Sequence, residues 1–240
     1  MKILMIMTSH GRLGSTGERT GFWLEEFAAP YYVFKKAGAE VTLASPLGGQ
    51  PPIDPRSNNY AAQTEATDRF QTDSAAQSAL ARTQMLSSIS ETDFDAVFYV
   101  GGHGLLWDLV DNPDSIFMIE KAILAGKPIA TVSHAAGVLR HAKTAYGRPI
   151  VQGHHVTGFA NTEEQVIGLI CVVPFLIEDM LTSGGGIYSK AGDWQPHVVS
   201  DGLLITGQNS ASSQQTARAL VQRLFVRAPA QSAEMVAVPW

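Results

Sequence analysis

The feature that most constrains how this 240-residue chain folds is an alternation of short apolar runs with longer amphipathic segments. The runs are rich in β-branched and aromatic residues, and they predict buried strands over residues 2–8, 40–45, 94–100 and 128–132. The longer segments predict helices over residues 20–37, 112–126 and 210–225. Because alternating strands and helices are typical of a mostly parallel sheet covered on both faces, the chain is predicted to form an α/β sandwich.

Shorter elements complete the predicted domain. A strand is expected over residues 155–158, and edge strands within residues 186–189 and 197–206, the latter with a turn at residues 200–202. Helices are expected over residues 133–140, 162–168 and 174–183. Residues 46–86 are rich in Pro, Gly, Asn, Gln and Ser and are too long for an ordinary connection. We therefore predict a lid insertion there, with a short helix near residues 74–86. Residues 1–226 are predicted to form one domain, and residues 227–240 an arm or disordered tail.

Charge and composition exclude several classes of partner. The chain has 22 acidic and 17 basic residues, a net charge of −5, so it lacks the electrostatic footprint of a protein that binds nucleic acid or an anionic membrane. No apolar run approaches the ~18 residues that span a bilayer, and no signal peptide is recognisable. A cytoplasmic protein is expected. The single cysteine, Cys171, excludes an intramolecular disulfide framework, and its apolar surroundings predict an inert core thiol.

Candidate functional residues follow two of the predicted strands. In an open parallel sheet the site lies at the carboxyl ends of the strands. Gly101-Gly102-His103-Gly104 comes after the third predicted strand and Ser133-His134 directly after the fourth. We expect both segments, together with Glu26 of the first helix, to meet at this edge.

Ser133 stands where a sharp turn would expose a nucleophile. On such a turn, the backbone amides of Gly102 and His134 would be positioned to stabilise an oxyanion. The alternative is that Ser133 only caps the following helix, since serine is a favoured N-cap residue and adjacency alone does not bring His134 within reach as a base. The glycine-rich turn likewise either cradles an oxyanion or only reverses the chain, and it lacks the spacing of a nucleotide-binding loop.

Several separated segments together resemble the ThiJ/PfpI superfamily over about residues 1–226. Within it, the chain is most similar to the branch that holds glutathione-independent glyoxalase III enzymes and related heat-shock chaperones. The segments are residues 19–26 (RTGFWLEE), 44–49 (ASPLGG), 101–108 (GGHGLLWD), 133–137 (SHAAG), 157–164 (TGFANTEE), 173–176 (VPFL), 193–195 (DWQ) and 206–212 (TGQNSAS). The resemblance implies a flavodoxin-like three-layer sandwich, like that of the class I glutamine amidotransferase domain.

The same resemblance implies a role for individual residues. The catalytic set it implies is Ser133, His134, Glu26 and Glu164. Glu26 would be a protonated or proton-sharing partner of the nucleophile, and Glu164 would orient His134. Gly102, His103 and His134 would form the oxyanion hole and bind substrate. The resemblance also implies a homodimer, and the chemistry requires no metal and no organic cofactor.

One departure from the family pattern affects the expected activity. The family carries Cys-His at the turn where this chain has Ser133-His134, and Ala135-Ala136 replaces the family's Gly-Pro or Ala-Pro. A thiol with a pKa near ~8.5 is readily activated as a thiolate, whereas a serine hydroxyl is not ionised that way. Three interpretations stay open, namely an engineered inactivating substitution, a natural change of reaction, and a catalytically silent binding protein.

The expected function is that of a glyoxalase III-like enzyme. In its cysteine form, such a lyase of the hydro-lyase class would convert small reactive carbonyls of the methylglyoxal type to hydroxy acids, and Ser133 would make this chain inactive or altered. One alternative is a Ser-His-Glu hydrolase or amidase with an acyl substrate. The other is a holding chaperone with a vestigial site.

Overall fold

The computed structural model describes residues 1–227, and the tail predicted from residue 227 onward lies outside the described residues apart from its first residue. Its strands are β1 (Lys2–Ile6), β2 (Glu40–Ser45), β3 (Gln84–Met85), β4 (Ala96–Tyr99), β5 (Ile129–Val132), β6 (His155–Val156), β7 (Ile187–Tyr188), β8 (Val198–Asp201) and β9 (Leu204–Gly207). One sheet has the order β3-β2-β1-β4-β5-β9-β8, and its pairs are parallel except for β8 with β9. The strands β6 and β7 form a separate parallel pair.

Helices cover both faces of the sheet. They are α1 (Leu24–Lys36), α2 (Glu65–Thr72), α3 (Ser74–Leu80), α4 (Pro113–Leu124), α5 (Asn161–Val166), α6 (Ile177–Ser183) and α7 (Ser213–Arg227). Helices α1 and α7 pack with each other and contribute Phe27 and Leu220 to the core on one face. Helices α4 and α6 contribute Ile119 and Leu181 to the core on the other face. Among residues 1–227, no helix is long and apolar enough to cross a bilayer.

The apolar runs of the sequence exist because the central strands are buried on both faces. Along β1, Ile3 and Met5 belong to one core, and Leu4 and Ile6 belong to the other. All four side chains are fully buried. Successive side chains of a strand point to opposite faces, so a strand between two helical layers must be apolar throughout. The predicted three-layer α/β fold class is confirmed.

Some predicted boundaries are wrong for identifiable reasons. Helix α1 begins at Leu24 rather than at residue 20, because Phe22 is extended and exchanges backbone hydrogen bonds with Pro52 and Asp54. The helix predicted over residues 133–140 is a 3₁₀ helix, Ser133–Leu139, whose residues are all buried. Cys171 is exposed rather than in the core.

Residues 197–206, predicted to hold an edge strand with a turn at residues 200–202, contain a hairpin of β8 and β9 with its turn at residues 202–203. Only β8 lies at the sheet edge, whereas β9 is an interior strand that pairs in parallel with β5. The four residues of β9 are all buried, as expected for an interior strand.

Residues 46–86 form several short elements between β2 and β3. They contain the 3₁₀ helices Pro55–Asn58 and Tyr60–Ala62, followed by α2 and α3. The helix predicted near residues 74–86 ends at Leu80, because residues 84 and 85 join the sheet beside β2 as β3. Phe70 and Leu80 are buried in the same core as α1, so this insertion is anchored to the sandwich.

Candidate active site

The turn after β5 places Ser133 at the centre of the site. Ser133 has φ +58°, in the left-handed region that non-glycine residues seldom adopt, and its side chain is buried. Such strain persists where the surrounding structure fixes it, and it is common at active sites. The hydroxyl of Ser133 does not cap the following helix, so the turn is a strained elbow rather than a helix cap.

Ser133, His134 and Glu164 form a hydrogen-bonded series. The distance from Ser133 Oγ to His134 Nδ1 is 3.2 Å, and that from His134 Nε2 to Glu164 Oε2 is 2.7 Å. Because an ionised carboxylate only accepts, Nε2 carries a proton, which leaves Nδ1 as the ring nitrogen that can accept from the serine hydroxyl. The structure thus brings these three predicted residues together with the proton directions of a nucleophile, a base and an orienting acid.

His103 is hydrogen-bonded to the second carboxylate oxygen of Glu164. Its Nε2 lies 3.0 Å from Glu164 Oε1, and its ring centroid lies 3.9 Å from that of His134. Burial alone would raise the pKa of Glu164, but its electrostatic interactions and hydrogen bonds with His134 and His103 hold it well below its usual range. Burial, reinforced by His134 and Arg56, lowers the pKa of His103 to about 4. Glu164 is therefore a buried anion between two imidazole N–H donors.

Arg56, which the sequence analysis did not single out, fixes the direction of this network. Its Nη2 lies 3.2 Å from His103 Nδ1 and 2.6 Å from Asp54 Oδ2. A guanidinium can only donate, so His103 Nδ1 accepts and its proton resides on Nε2, facing Glu164. The buried Asp54 also accepts from Thr20 Oγ1 at 2.7 Å. In the sequence, Asp54-Pro55 predicts a helix cap. It does not predict that Arg56 contacts His103, which lies 47 positions further along the chain.

Glu26 is a second buried acid, in the opposite protonation state. It lies in α1 with 2% of its surface exposed, and its Oε2 has no hydrogen-bond partner among the described residues. Burial raises the pKa of Glu26 well above its usual range, and the neighbouring Ser133 hydroxyl offsets only part of the rise. The carboxyl reaches the site because position 101 is glycine, where a Cβ would lie 2.0 Å from Glu26 Oε2. Glu26 is thus a protonated acid beside Ser133.

Two backbone amides are available at the same edge of the sheet. Gly102 has φ +119°, and a Cβ there would lie 2.5 Å from the carbonyl oxygen of Gly21, so only glycine fits. Gly102 precedes the 3₁₀ helix His103–Trp107, and His134 lies in the first turn of Ser133–Leu139. The first N–H groups of a helix have no intrahelical acceptor. Both amides can therefore donate to a bound oxyanion.

These groups line one cavity of about 590 Å³. Its walls combine Ser133, His134, Glu26, Gly102, His103 and Arg56 with Trp23, Asn59, Ala61, Ala62, Phe159, Ile167, Trp194 and Ser210. The lid insertion supplies Arg56 and residues 59, 61 and 62 of this wall. The Phe159 ring lies 4.1 Å from that of His134 and 6.0 Å from that of Trp194. Phe159 and Trp194 lie in segments of the family resemblance, but the spacing of residues in the sequence gave no reason to assign them to the site.

The same residues offer one possible metal-ligand set. Donor atoms of His103, His134 and Glu164 all lie within 4.8 Å of one another. Both Nε2 atoms, however, direct their protons at the carboxylate. A metal ion bound there would have to displace both Nε2 protons. The proton of His103 would then reside on Nδ1 and face Arg56, which is itself a donor. The hydrogen-bond directions favour a proton-transfer network over a metal centre.

Comparison with known proteins gives a consistent result. The sequence pattern of the DJ-1/PfpI family matches residues 19–223, which include Glu26, Ser133 and Glu164. The glutathione-independent glyoxalase HSP31 of Saccharomyces cerevisiae is 29% identical over 227 residues, which cover 90% of this chain and 94% of the relative.

Two solved structures are also similar over nearly their whole length. Rapid Encystment Protein 24 KDa of Francisella tularensis has a TM-score of 0.88 at 35% identity and covers 93% of this chain and 99% of its own. Glyoxalase III of Candida albicans has a TM-score of 0.86 at 26% identity and covers 92% of this chain and 96% of its own.

The raised pKa of Glu26 predicts a pH-dependent effect of Glu26→Gln on stability. The unfolded chain loses the Glu26 proton above the ordinary value of 4.5, while the folded protein keeps it. The free energy of unfolding therefore falls as pH rises from 4.5 toward the raised pKa. Glutamine has no such loss, so the variant should gain stability relative to the unsubstituted protein across this window. Urea unfolding from pH 4.5 to 8 measures the difference, with exposed Glu40→Gln as control. A difference independent of pH would contradict the buried protonated acid.

The role of Arg56 predicts a change in the tautomer of His103. In ¹⁵N NMR spectra of the imidazole side chains, His103 should show a protonated Nε2 and an unprotonated Nδ1, with its signals assigned by their loss in His103→Gln. Arg56→Met removes the donor and should give a mixture in which Nδ1 is also protonated, whereas Arg56→Lys, which keeps a cationic donor, should retain more of the original tautomer. Arg69→Met is a control, because Arg69 stacks on Tyr32 and lies outside the cavity. Unchanged His103 signals in Arg56→Met would refute the assignment.

Proposed function

The chain belongs to the DJ-1/PfpI family, and from this premise we propose that it acts on small α-oxoaldehydes as a glutathione-independent glyoxalase-type enzyme with serine at the nucleophile position. The observation that carries the proposal is that Glu26, whose pKa burial raises, lines the same cavity as Ser133 and His134, and that His134 is hydrogen-bonded in turn to Glu164. An α-oxoaldehyde rearrangement needs both a nucleophile for the aldehyde and an acid that moves protons between neighbouring carbon and oxygen atoms.

The first step is addition of Ser133 to the aldehyde. Oγ forms a bond to the aldehyde carbon while the hydroxyl proton passes to His134 Nδ1, and Glu164 stabilises the resulting imidazolium. The amides of Gly102 and His134 hold the developing oxyanion. Return of the proton from His134 to this oxygen gives a neutral hemiacetal.

Glu26 carries out the proton transfers that follow. It gives its proton to the neighbouring ketone oxygen and takes the proton of the adduct carbon, which produces an enediol. It then protonates the second carbon and receives the hydroxyl proton of the first, which leaves a 2-hydroxyacyl ester on Ser133. Water activated by His134 hydrolyses this ester, so that methylglyoxal and water give lactic acid and free Ser133.

A serine at this position should make the reaction slow, and Ser133→Cys should accelerate it. A thiol beside Glu26 and His134 ionises far more readily than a hydroxyl. We expect methylglyoxal consumption to rise at least ~10²-fold, about 2.7 kcal/mol in the barrier. Both forms should be compared in a Cys171→Ala background, because Cys171 is exposed and thiols in general add to aldehydes. A folded Ser133→Cys protein that leaves methylglyoxal unchanged would refute the glyoxalase proposal.

A second candidate function is that of a Ser-His-Glu hydrolase. The hydrogen bonds from Ser133 to His134 and from His134 to Glu164 favour it, because this is the arrangement that activates a serine toward acyl substrates. A fluorophosphonate probe should then label Ser133 covalently, with labelling located by mass spectrometry and absent in Ser133→Ala. Retained labelling in Ser133→Ala, or none in the unsubstituted protein, would count against this function.

We also propose that the protein is a homodimer, as its family resemblance implies. Strand β8 lies at the edge of the sheet and exposes part of its surface, which is available for contact between chains. Sedimentation equilibrium at micromolar concentration should give twice the 25.8 kDa of one chain. A mass equal to that of one chain would overturn the dimer.

A further inference from the structure

We infer that the cavity accepts an α-oxoaldehyde with an apolar, aryl-sized substituent, and that Trp194 determines this preference. The inference rests on the proposed function, which assigns the two reacting carbonyl groups to Ser133 and Glu26. It adds the chemical nature of the substituent that the ketone carbon carries.

The first observation is the size of the cavity. Its volume of about 590 Å³ falls in the range of ~300–1,000 Å³ that is typical of pockets for drug-sized ligands. Methylglyoxal carries only a methyl group beside its two carbonyls and would leave most of this space to water. Since the reactive groups Ser133, Glu26 and Gly102 lie together in the site, the remaining volume is available to a substituent.

The second observation is the apolar wall that faces this space. Phe159, Trp194, Ile167 and Trp23 all line the cavity. The Phe159 and Trp194 rings meet edge to face, with centroids 6.0 Å apart and an interplanar angle of 60°. Trp194 and Ile167 keep 44% and 38% of their surface exposed. An aryl group between them would remove this surface from water and add a ring contact, which small polar substrates cannot do.

The third observation is that the backbone of Trp194 is held in an unfavourable conformation. Its φ is +62°, an outlier for a bulky side chain. The Trp194 N–H donates at 2.8 Å to Oε1 of the fully buried Glu163, which also accepts from Asn209 Nδ2 at 2.7 Å. A strained backbone fixed by a buried carboxylate, with its side chain at a cavity, is the arrangement found at ligand-binding clamps. The strained backbone of Trp194 places its indole ring in the wall of the cavity, where it can contact the substrate.

Binding of two unreactive analogues tests the subsite without relying on catalysis. In 2-hydroxyacetophenone and hydroxyacetone, an alcohol replaces the aldehyde, and the two differ only in phenyl against methyl. By calorimetry, the unsubstituted protein should bind the phenyl compound at least tenfold more tightly. Trp194→Gly, which suits the positive φ but lacks the ring, should reduce this ratio below threefold.

Controls separate the ring from its surroundings. Tyr146→Gly removes an exposed aromatic side chain outside the cavity and should keep the full preference. Circular dichroism checks folding, and Trp194→Ala carries the same test if the glycine variant is unfolded. Equal binding of the two analogues by the unsubstituted protein, or a preference that survives in both Trp194 variants, overturns the inference.

Turnover distinguishes failure of the subsite from failure of the proposed function. In the Ser133→Cys protein, kcat/KM for phenylglyoxal should exceed that for methylglyoxal at least tenfold, and Trp194→Gly should abolish this excess mainly through KM. A phenyl preference in binding with no turnover of either oxoaldehyde would refute the glyoxalase reaction and support the subsite. Turnover of methylglyoxal without any phenyl preference would refute the subsite alone.

Discussion

The burial of one ionised carboxylate, that of Glu164, is the constraint on which the site depends. A buried charge is tolerated only when it is paired and its oxygens are hydrogen-bonded. Here each oxygen receives one imidazole N–H, from His103 and from His134. These histidines follow β4 and β5, which are parallel neighbours whose carboxyl ends share one edge. Strand order, strand direction and the position of α5 must therefore all be correct for Glu164 to be accommodated.

A second buried carboxyl, that of Glu26, is kept in the opposite protonation state by its surroundings. Glu164 has donors on both oxygens and stays ionised, whereas Oε2 of Glu26 lacks a partner among the described residues, and burial keeps that side chain protonated. Two carboxyl groups with pKa values driven apart can divide acid and base work at one pH. Gly101 makes this possible, because any side chain there would occupy the space of the Glu26 carboxyl.

The hydrophobic periodicity of the sequence and the positions of the strand ends predicted more of the fold than of the candidate site. Runs buried on both faces identified β1, β2, β4 and β5, and the rule for parallel sheets located His103 and Ser133 at one edge. Glu26 was expected at this edge, but its role as an acid and the choice of Glu164 came from family resemblance, since a carboxylate in a helix looks the same in the sequence whether it faces a cavity or solvent. Arg56 was missed because its contacts depend on how the lid insertion packs. The interior position of β9 was missed because a hairpin hides which of its strands continues the sheet.

The serine at the elbow is compatible with every other feature of the network. Arg56 can only donate, and this sets the proton of His103 toward Glu164. Glu164 in turn receives the Nε2 proton of His134, which leaves Nδ1 as the acceptor for the nucleophile. A thiol would give its proton to the same nitrogen, and Glu164 would stabilise the resulting imidazolium in either case. In the proposed reaction, the scaffold therefore sets the direction of proton movement, while the atom at position 133 sets how readily the proton leaves.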